Sequence, residues 1–315
     1  SITGDNSERL TRKVCISDAG ITMTFKIGDV VINTISTAIP EDESGQRCIE
    51  GLNLAEMDLT GIDLSKMALR NVNFNGSILR NADFSGTICE GVDFTDCDLR
   101  NAEFENASLE KIDFRKVRHF FNINFTNANL RNSNFSGKVL TGVNFTGSDL
   151  SNAYLEHIDF TKVIFFPSLI IGAVFDNSNL SEKNLSDKDL TNISCVYTNF
   201  TNANLTKCKL FNTNFSAAKF DNTNFTGTKG SNILFNHAWL FNTIFIDTIF
   251  KNACFFNAKV NNVSLKKAYI YNDNIDKKAN DSTDKQAKNS TEQQDSNSFN
   301  QARLKKEVNS SFSIP

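Results

Sequence analysis

Proline, histidine and long apolar runs are scarce in this chain. Three prolines in 315 residues leave a regular backbone few forced breaks. The longest apolar run, 163-VIFFPSLIIGAVF-175, is interrupted by Pro167, Ser168 and Gly172, and it is too short to span a bilayer as a helix. No basic segment followed by an apolar one opens the chain, which argues against a classical signal peptide in these residues. A first residue of Ser rather than Met leads us to expect a fragment or a processed form. The formal net charge of −3 gives no general attraction to nucleic acid or to an anionic membrane.

The chemistry of catalysis is equally sparse. His119, His157 and His237 sit in three different contexts, and none pairs with a Cys or a carboxylate at metal-ligand spacing. There is no Gly-rich phosphate loop and no nucleophile elbow. We therefore expect a non-enzyme with no catalytic, cofactor-binding or metal-binding residues, and no cofactor. The seven cysteines are odd in number and match no disulfide or zinc framework. They read as reduced thiols, which suits a reducing cytosol.

Phenylalanine is what the chain has in excess: 28 residues against one Trp. The stretch 80-RNADFSGTICEGVDFTDCDLRNAEF-104 shows why, with Phe84, Phe94 and Phe104 ten apart and Cys89 and Leu99 between them. A large apolar centre recurs every fifth residue from Leu54 to Phe114. The next centre is due at His119, but the phase resumes one residue late at Phe120 and runs to Ile275, lapsing at Gly230. Two before each centre stands a small residue, as at Ala82, Val92 and Ala102. Immediately before it stands Asp or Asn, as at Asp83, Asp93 and Asn124. Cys89 and Cys195 fill large slots; Cys97 and Cys208 fill small ones.

A period of five fits neither a helix nor a strand, whose apolar residues recur at 3.6 and 2. It suits a solenoid whose sides are one unit long, with equivalent positions stacked between coils about 4.8 Å apart. Three parts follow. Residues 1–50 are not repetitive, and alternation in 14-VCISDAGITMTFKIGDVVINTIS-36, broken at Ala19-Gly20 and Gly28-Asp29, predicts a small β module that caps the array. Residues 51–275 are the array. Residues 276–315 are rich in Lys, Asp, Asn, Ser and Gln and are expected to be a disordered tail, with a short helix over 299–308 as the exception.

The pattern A-(D/N)-(L/F)-x-x resembles the pentapeptide-repeat family over residues 51–275, about 45 units. That resemblance implies an all-β fold: a right-handed quadrilateral parallel β-helix of four units per coil and about eleven coils. It implies a filled interior with like side chains stacked in ladders. The order of a β-containing N-terminal segment, the run 51-GLNLAEMDLTGIDLSKM-67, the array and a tail is most similar to the type III secreted effectors of Gram-negative pathogens. This implies export from the bacterial cytoplasm into a host cell and a role as a virulence adaptor. One alternative is the DNA-mimicking, gyrase-binding kind of member, which needs an acidic face along the whole rod. Another is a repeat segment of a larger effector whose catalytic domain lies elsewhere.

Departures from the repeat are where function is expected. Arg115, Lys116, Arg118 and His119 cluster at the inserted residue, either as a solvated bulge or as an anionic docking point. Residues 51–114 hold 12 acidic and 5 basic side chains, a net of −7, whereas 115–275 hold 10 and 16, a net of +6. Apolar residues also appear at outward positions: Ile164, Phe166, Leu169 and Ile171, then Leu234, Trp239, Phe241, Ile244, Ile246, Ile249 and Phe256. They are covered by the tail and neighbouring coils, or they meet a partner. The expected partner is a protein, a host protein included, with a homodimer or end-to-end contact open. No nucleic acid and no transmembrane segment are expected, and peripheral membrane association stays open.

Overall fold

The computed structural model describes residues 9–164 and 166–273. The tail 276–315, the short helix within it and the last centre, Ile275, lie outside the described residues. The chain winds as a β-solenoid of about eleven turns. It divides into two compact units, one of residues up to 149 with 163–168, the other of 150–162 with 169 onward.

One coil takes twenty residues. Asn53 bridges to Asn73 and Asn73 to Asp93, while Asn204 bridges to Asn224 and Asn224 to Ile244. Four five-residue sides therefore make a turn, and equivalent positions stack in parallel register. Two local devices make each corner. The Asp or Asn before a centre accepts from the N–H two residues on, as Asp63 Oδ1 does from Ser65 (2.9 Å) and Asn73 Oδ1 from Asn75 (2.8 Å); this is the turn that short polar side chains favour. The residue two after each centre then takes a positive φ. It does so at every corner from Gly51 to Lys267 except Lys116, Lys162 and Pro167. Asn and Gly dominate there because they enter the left-handed region at least cost.

The interior is dry and aromatic. In the first unit Phe84 stacks on Phe104 (4.7 Å, 8°), and Phe74 meets Phe84 edge-on (5.8 Å, 86°). Two opposite sides carry these Phe columns; the other two carry Leu or Cys, such as Leu79, Cys89 and Leu99, all buried. Small-slot hydroxyls and thiols donate to a centre carbonyl, either of the preceding coil, as Thr198 to Phe175 (2.9 Å), Thr223 to Phe200 (2.7 Å) and Cys97 to Phe74 (2.9 Å), or three residues back, as Thr87 to Phe84 (2.7 Å). Cysteine there is a variant of threonine, and the buried donors are satisfied.

The N-terminal module is a three-stranded antiparallel meander of β1 (Leu10–Ser17), β2 (Gly20–Ile27) and β3 (Val30–Thr37). Arg12 donates to the Ala55 carbonyl (3.1 Å) and Arg47 to the Ser17 carbonyl, tying the meander to the first coils. The array starts earlier than the sequence boundary at Gly51. Strand β4 (Cys48–Glu50) pairs with β5 (Ala68–Arg70), which pairs with β6 (Ile88–Glu90), and Ile49 is a buried centre. Ile49 escaped the repeat pattern because Arg47 stands in its small slot and Cys48 in its polar one.

In the second unit the sides are β7 (Lys209–Phe211), β8 (Lys229–Ser231), β10 (Ile249–Lys251) and β12 (Tyr269–Tyr271) on one face, and β9 (Trp239–Phe241) with β11 (Lys259–Asn261) on the opposite one. Here Phe no longer alternates. Phe220, Phe225 and Phe235 share a coil and lie within 6 Å of one another (5.1, 5.9 and 5.7 Å). The lapse at Gly230 accommodates them, since a third large ring takes the volume that a fourth centre would occupy. A Cβ at Gly230 would stand 2.1 Å from the Leu210 carbonyl oxygen.

Two stability changes follow. Gly230→Leu restores the repeat on paper but overpacks the coil and collides with backbone, so we expect a loss of roughly 2 kcal/mol or more in denaturant unfolding. Ala217, held at φ 56°, is the opposite case: Ala217→Asn places a residue suited to that corner and is expected to gain about 0.5–1 kcal/mol. A neutral Gly230→Leu, or a destabilising Ala217→Asn, would contradict the corner and packing account.

Candidate interaction surface

The first departure is a one-residue bulge. Before it, bridges join residues 20 apart; across it, Asp98 bridges to His119 and Glu103 to Asn124, 21 apart, before the spacing returns to 20 at Asn124 and Asn144. The Cys97 carbonyl accepts from two successive N–H groups, Arg118 (2.9 Å) and His119 (3.2 Å). That doubling absorbs the inserted residue.

Lys138 completes the arrangement. It occupies a small slot one coil on, where its ammonium donates to the Val117 carbonyl and lies 6.0 Å from the centre of the Phe120 ring. Burial pushes its pKa down, opposed by Asp113. A charged residue in a small slot is itself a sequence signal of a neighbouring irregularity, and it was not read as one. Lys183 and Lys188 fill small slots as well, and burial lowers both.

Arg115, Lys116, Arg118 and His119 are all exposed. They are not a bare positive patch. Arg115 forks onto Asp113 (2.9 and 3.1 Å), and this bond holds the Asp113 carboxyl below its ordinary range. A groove of about 750 Å³ beside them is lined by Glu90, Asp93, Glu110 and Asp113 together with Lys111, Arg115 and Lys116. Next to His119 on the ladder is Asp98, which is buried and bonded by Arg100 (2.6 and 2.9 Å) and Arg80 (3.2 Å). Burial pushes the Asp98 carboxyl up, but the arginine bonds outweigh it and hold it at about 2. Among the described residues, Lys116 and Arg118 are the two cations of the cluster without an ion pair within 4 Å.

The outward apolar residues fall in separate places. Ile164 is 79 % exposed and Leu169 49 %, while Phe166 and Ile171 are half-buried. Pro167 stands between them at a corner where its fixed negative φ forbids the usual left-handed residue. In the second unit the ring is spread over all four sides of the coil. Trp239 and Phe241 share one side, in an edge contact of 5.6 Å, and the Lys259 ammonium covers the indole at 4.0 Å. Phe256 packs on His237 (5.4 Å) one side away. Ile244 and Ile246 are half-buried on a third side, and Leu234 and Ile249 are exposed. Ile249 pairs in register with Tyr269, which is 61 % exposed and touches Tyr271 (4.9 Å). The sequence reading omitted Tyr269, Tyr271 and Phe211; their spacing of 20 and 40 from Ile249 and Lys251 would have revealed the shared face.

The cysteines are free, with Cys15 and Cys254 exposed and the other five buried. Burial pushes the thiols of Cys89, Cys97 and Cys208 up to about 12 and Cys195 upward as well, so these thiols are inert. Among the described residues no group of three His, Cys, Asp or Glu side chains is placed to hold a metal ion, and no helix is long and apolar enough to cross a membrane.

Asp98 yields a pH test. Its folded pKa, about 2, lies below the ordinary 3.8, so its contribution is fully present above pH 4 and is lost as pH falls through 2. Arg100→Gln should destabilise the fold at pH 7, with the gap to the parent protein closing between pH 4 and 2. A gap that stays constant down to pH 2 would remove the ion pair as its cause.

The match to known proteins follows the repeat. Residues 49–86, 77–115, 123–161, 170–206 and 189–227 match the family described as pentapeptide repeats (8 copies). No curated protein matches the sequence. Solved structures with similarity include HetL, a pentapeptide repeat protein involved in heterocyst differentiation regulation in the cyanobacterium Nostoc sp. strain PCC 7120. It is 23 % identical over 71 % of this chain and 91 % of its own, with a TM-score of 0.28. A pentapeptide repeat protein of the Arabidopsis thaliana thylakoid lumen is 27 % identical over 38 % of this chain and 73 % of its own, with a TM-score of 0.20. QnrB1, a plasmid-mediated fluoroquinolone resistance protein, is 18 % identical over 59 % and 92 %, with a TM-score of 0.26. The matched segments cover more than half of the chain and coincide with the coils built on Asx turns and left-handed corners, so the chain belongs to the pentapeptide-repeat family.

Proposed function

We propose that this protein is a non-catalytic interaction scaffold, an adaptor that binds another protein through side chains displayed on the solenoid surface. The observation that carries the reading is the contrast between inside and outside. Among the described residues the centres from Leu54 to Phe255 are buried and close-packed, while Ile164, Leu169, Ile249 and Tyr269 stand exposed. An array that spends its interior on packing has its outward departures left for recognition.

The finer reading is a translocated bacterial effector that works inside a host cell. It is supported by the chain order: β meander, the run 51-GLNLAEMDLTGIDLSKM-67, array and polar tail. The gyrase-binding alternative is weakened by the charge distribution, since residues 115–275 carry a net of +6 where a DNA mimic needs acid throughout. The basic cluster at Lys116 and Arg118 is a secondary contact in this proposal, and its carboxylate neighbours make it selective for a shaped acidic surface over bulk anion.

A comparative pull-down from host-cell lysate tests the adaptor reading. The parent chain is set against Trp239→Asp with Ile244→Asp, and against Ile249→Asp with Tyr269→Asp. We expect partners bound by the parent to fall at least tenfold in one of the two variants, each variant keeping the parent melting temperature. Equal recovery in both would exclude these faces as the interface.

A further inference from the structure

The outer strand of the N-terminal meander is lightly guarded. All eight residues of β3, VVINTIST, are exposed, and they include no charge and no proline. The opposite edge strand, β1, carries Arg12 and Lys13. Edge strands ordinarily carry such charges, or are short, because a bare edge is a template for another strand. One guard is present on β3, a bulge that slips the register between Phe25 and Lys26 and leaves Ile32 as the extra residue. Beyond it, Asn33 to Thr37 pair with β2 without irregularity.

Bond parity says which groups face outward. Two-residue turns at Asp18-Ala19 and Gly28-Asp29 close on bonded pairs. Counting alternate pairs from either turn, Asn33, Ile35 and Thr37 direct their backbone groups at β2. The N–H and C=O of Thr34 and Ser36 therefore point away, and among the described residues β3 has no further neighbour in the sheet. Ile35 (50 % exposed) and Val30 (68 %) lie on the apolar face that also holds Met23, Phe25 and Ile27.

We infer that this edge pairs with the same edge of a second copy of the chain, antiparallel and centred on Ile35. A two-fold axis normal to the sheet sets Thr34 of each copy opposite Ser36 of the other, and their outward backbone groups exchange bonds. Ile35 then faces Ile35 in a non-bonded pair, with Cα atoms about 4.5 Å apart. The same axis keeps both apolar faces on one side of a joined six-stranded sheet. An uncharged strand is what self-pairing requires, because a two-fold partner sets like residues against like. Strand β1, with two adjacent cations, fails that test. The edge alone buries less than the ~1,600 Å² of a standard interface, so association in the micromolar range is expected. This inference does not depend on the adaptor reading.

Sedimentation of the full chain at roughly 50 µM is the first measurement. The parent is expected at twice the monomer mass, and Ile35→Lys at the monomer mass with an unchanged melting temperature. In a Cys15→Ser, Cys254→Ser background, Ile35→Cys should form a covalent dimer on mild oxidation, while Lys13→Cys on the other edge should not. The cross-link decides the matter even where Ile35→Lys loosens the meander. A monomeric parent with no Ile35→Cys cross-link overturns the proposal, whether or not the strand takes up a different peptide. A dimer that persists in a folded Ile35→Lys variant overturns it too, since its interface lies elsewhere.

Discussion

Everything regular in this molecule depends on the five-residue corner. An Asp or Asn bonds forward two residues, the chain enters the left-handed region one residue later, and a side chain is delivered inward on each side of the coil. The cost of the left-handed residue, about 1–2 kcal/mol where it is neither Gly nor Asn, recurs at Glu56, Lys66, Tyr197 and Ala217. Stacked backbone bonds and buried rings offset it. Phe104 alone touches Phe84, Phe94 and Phe125, and losing such a side chain costs about 3–5 kcal/mol.

The corner also explains the departures. Lys116, Lys162 and Pro167 are the corners without a positive φ, and they fall in the two segments where the repeat is disturbed. The bulge at Arg118 and His119 is stabilised by Lys138, and the lapse at Gly230 by the three rings of its coil. Each irregularity is answered by residues of its own coil or of the next one. A solenoid transmits such changes only to its neighbours in the stack.

Function in such a molecule is a matter of surface. The buried cysteines serve packing, the carboxylates before each centre serve turns, and the basic cluster is partly neutralised by Asp113. What is left over is apolar and aromatic: Ile164 and Leu169, Ile249 with Tyr269, and the edge of β3.

The sequence by itself determined the coil. A period of five with a small residue, a polar residue and a large one is enough to specify a stacked solenoid and the inserted residue near Arg118, because a repeat multiplies one local preference many times; the four sides and the Phe columns came from the resemblance to the pentapeptide-repeat family. The start of the array at Cys48 was hidden, since Arg47 and Cys48 break the pattern that Ile49 keeps. Only the tertiary structure decided which outward residues share a face. Spacing of 20 brings Tyr269 to Ile249, whereas Leu234, Trp239, Ile244 and Ile249 are close in sequence yet lie on four different sides. It also decided what each polar group already bonds, as with Lys138 on Val117 and Lys259 over Trp239. Local pattern cannot carry that information, because those partners lie one coil away.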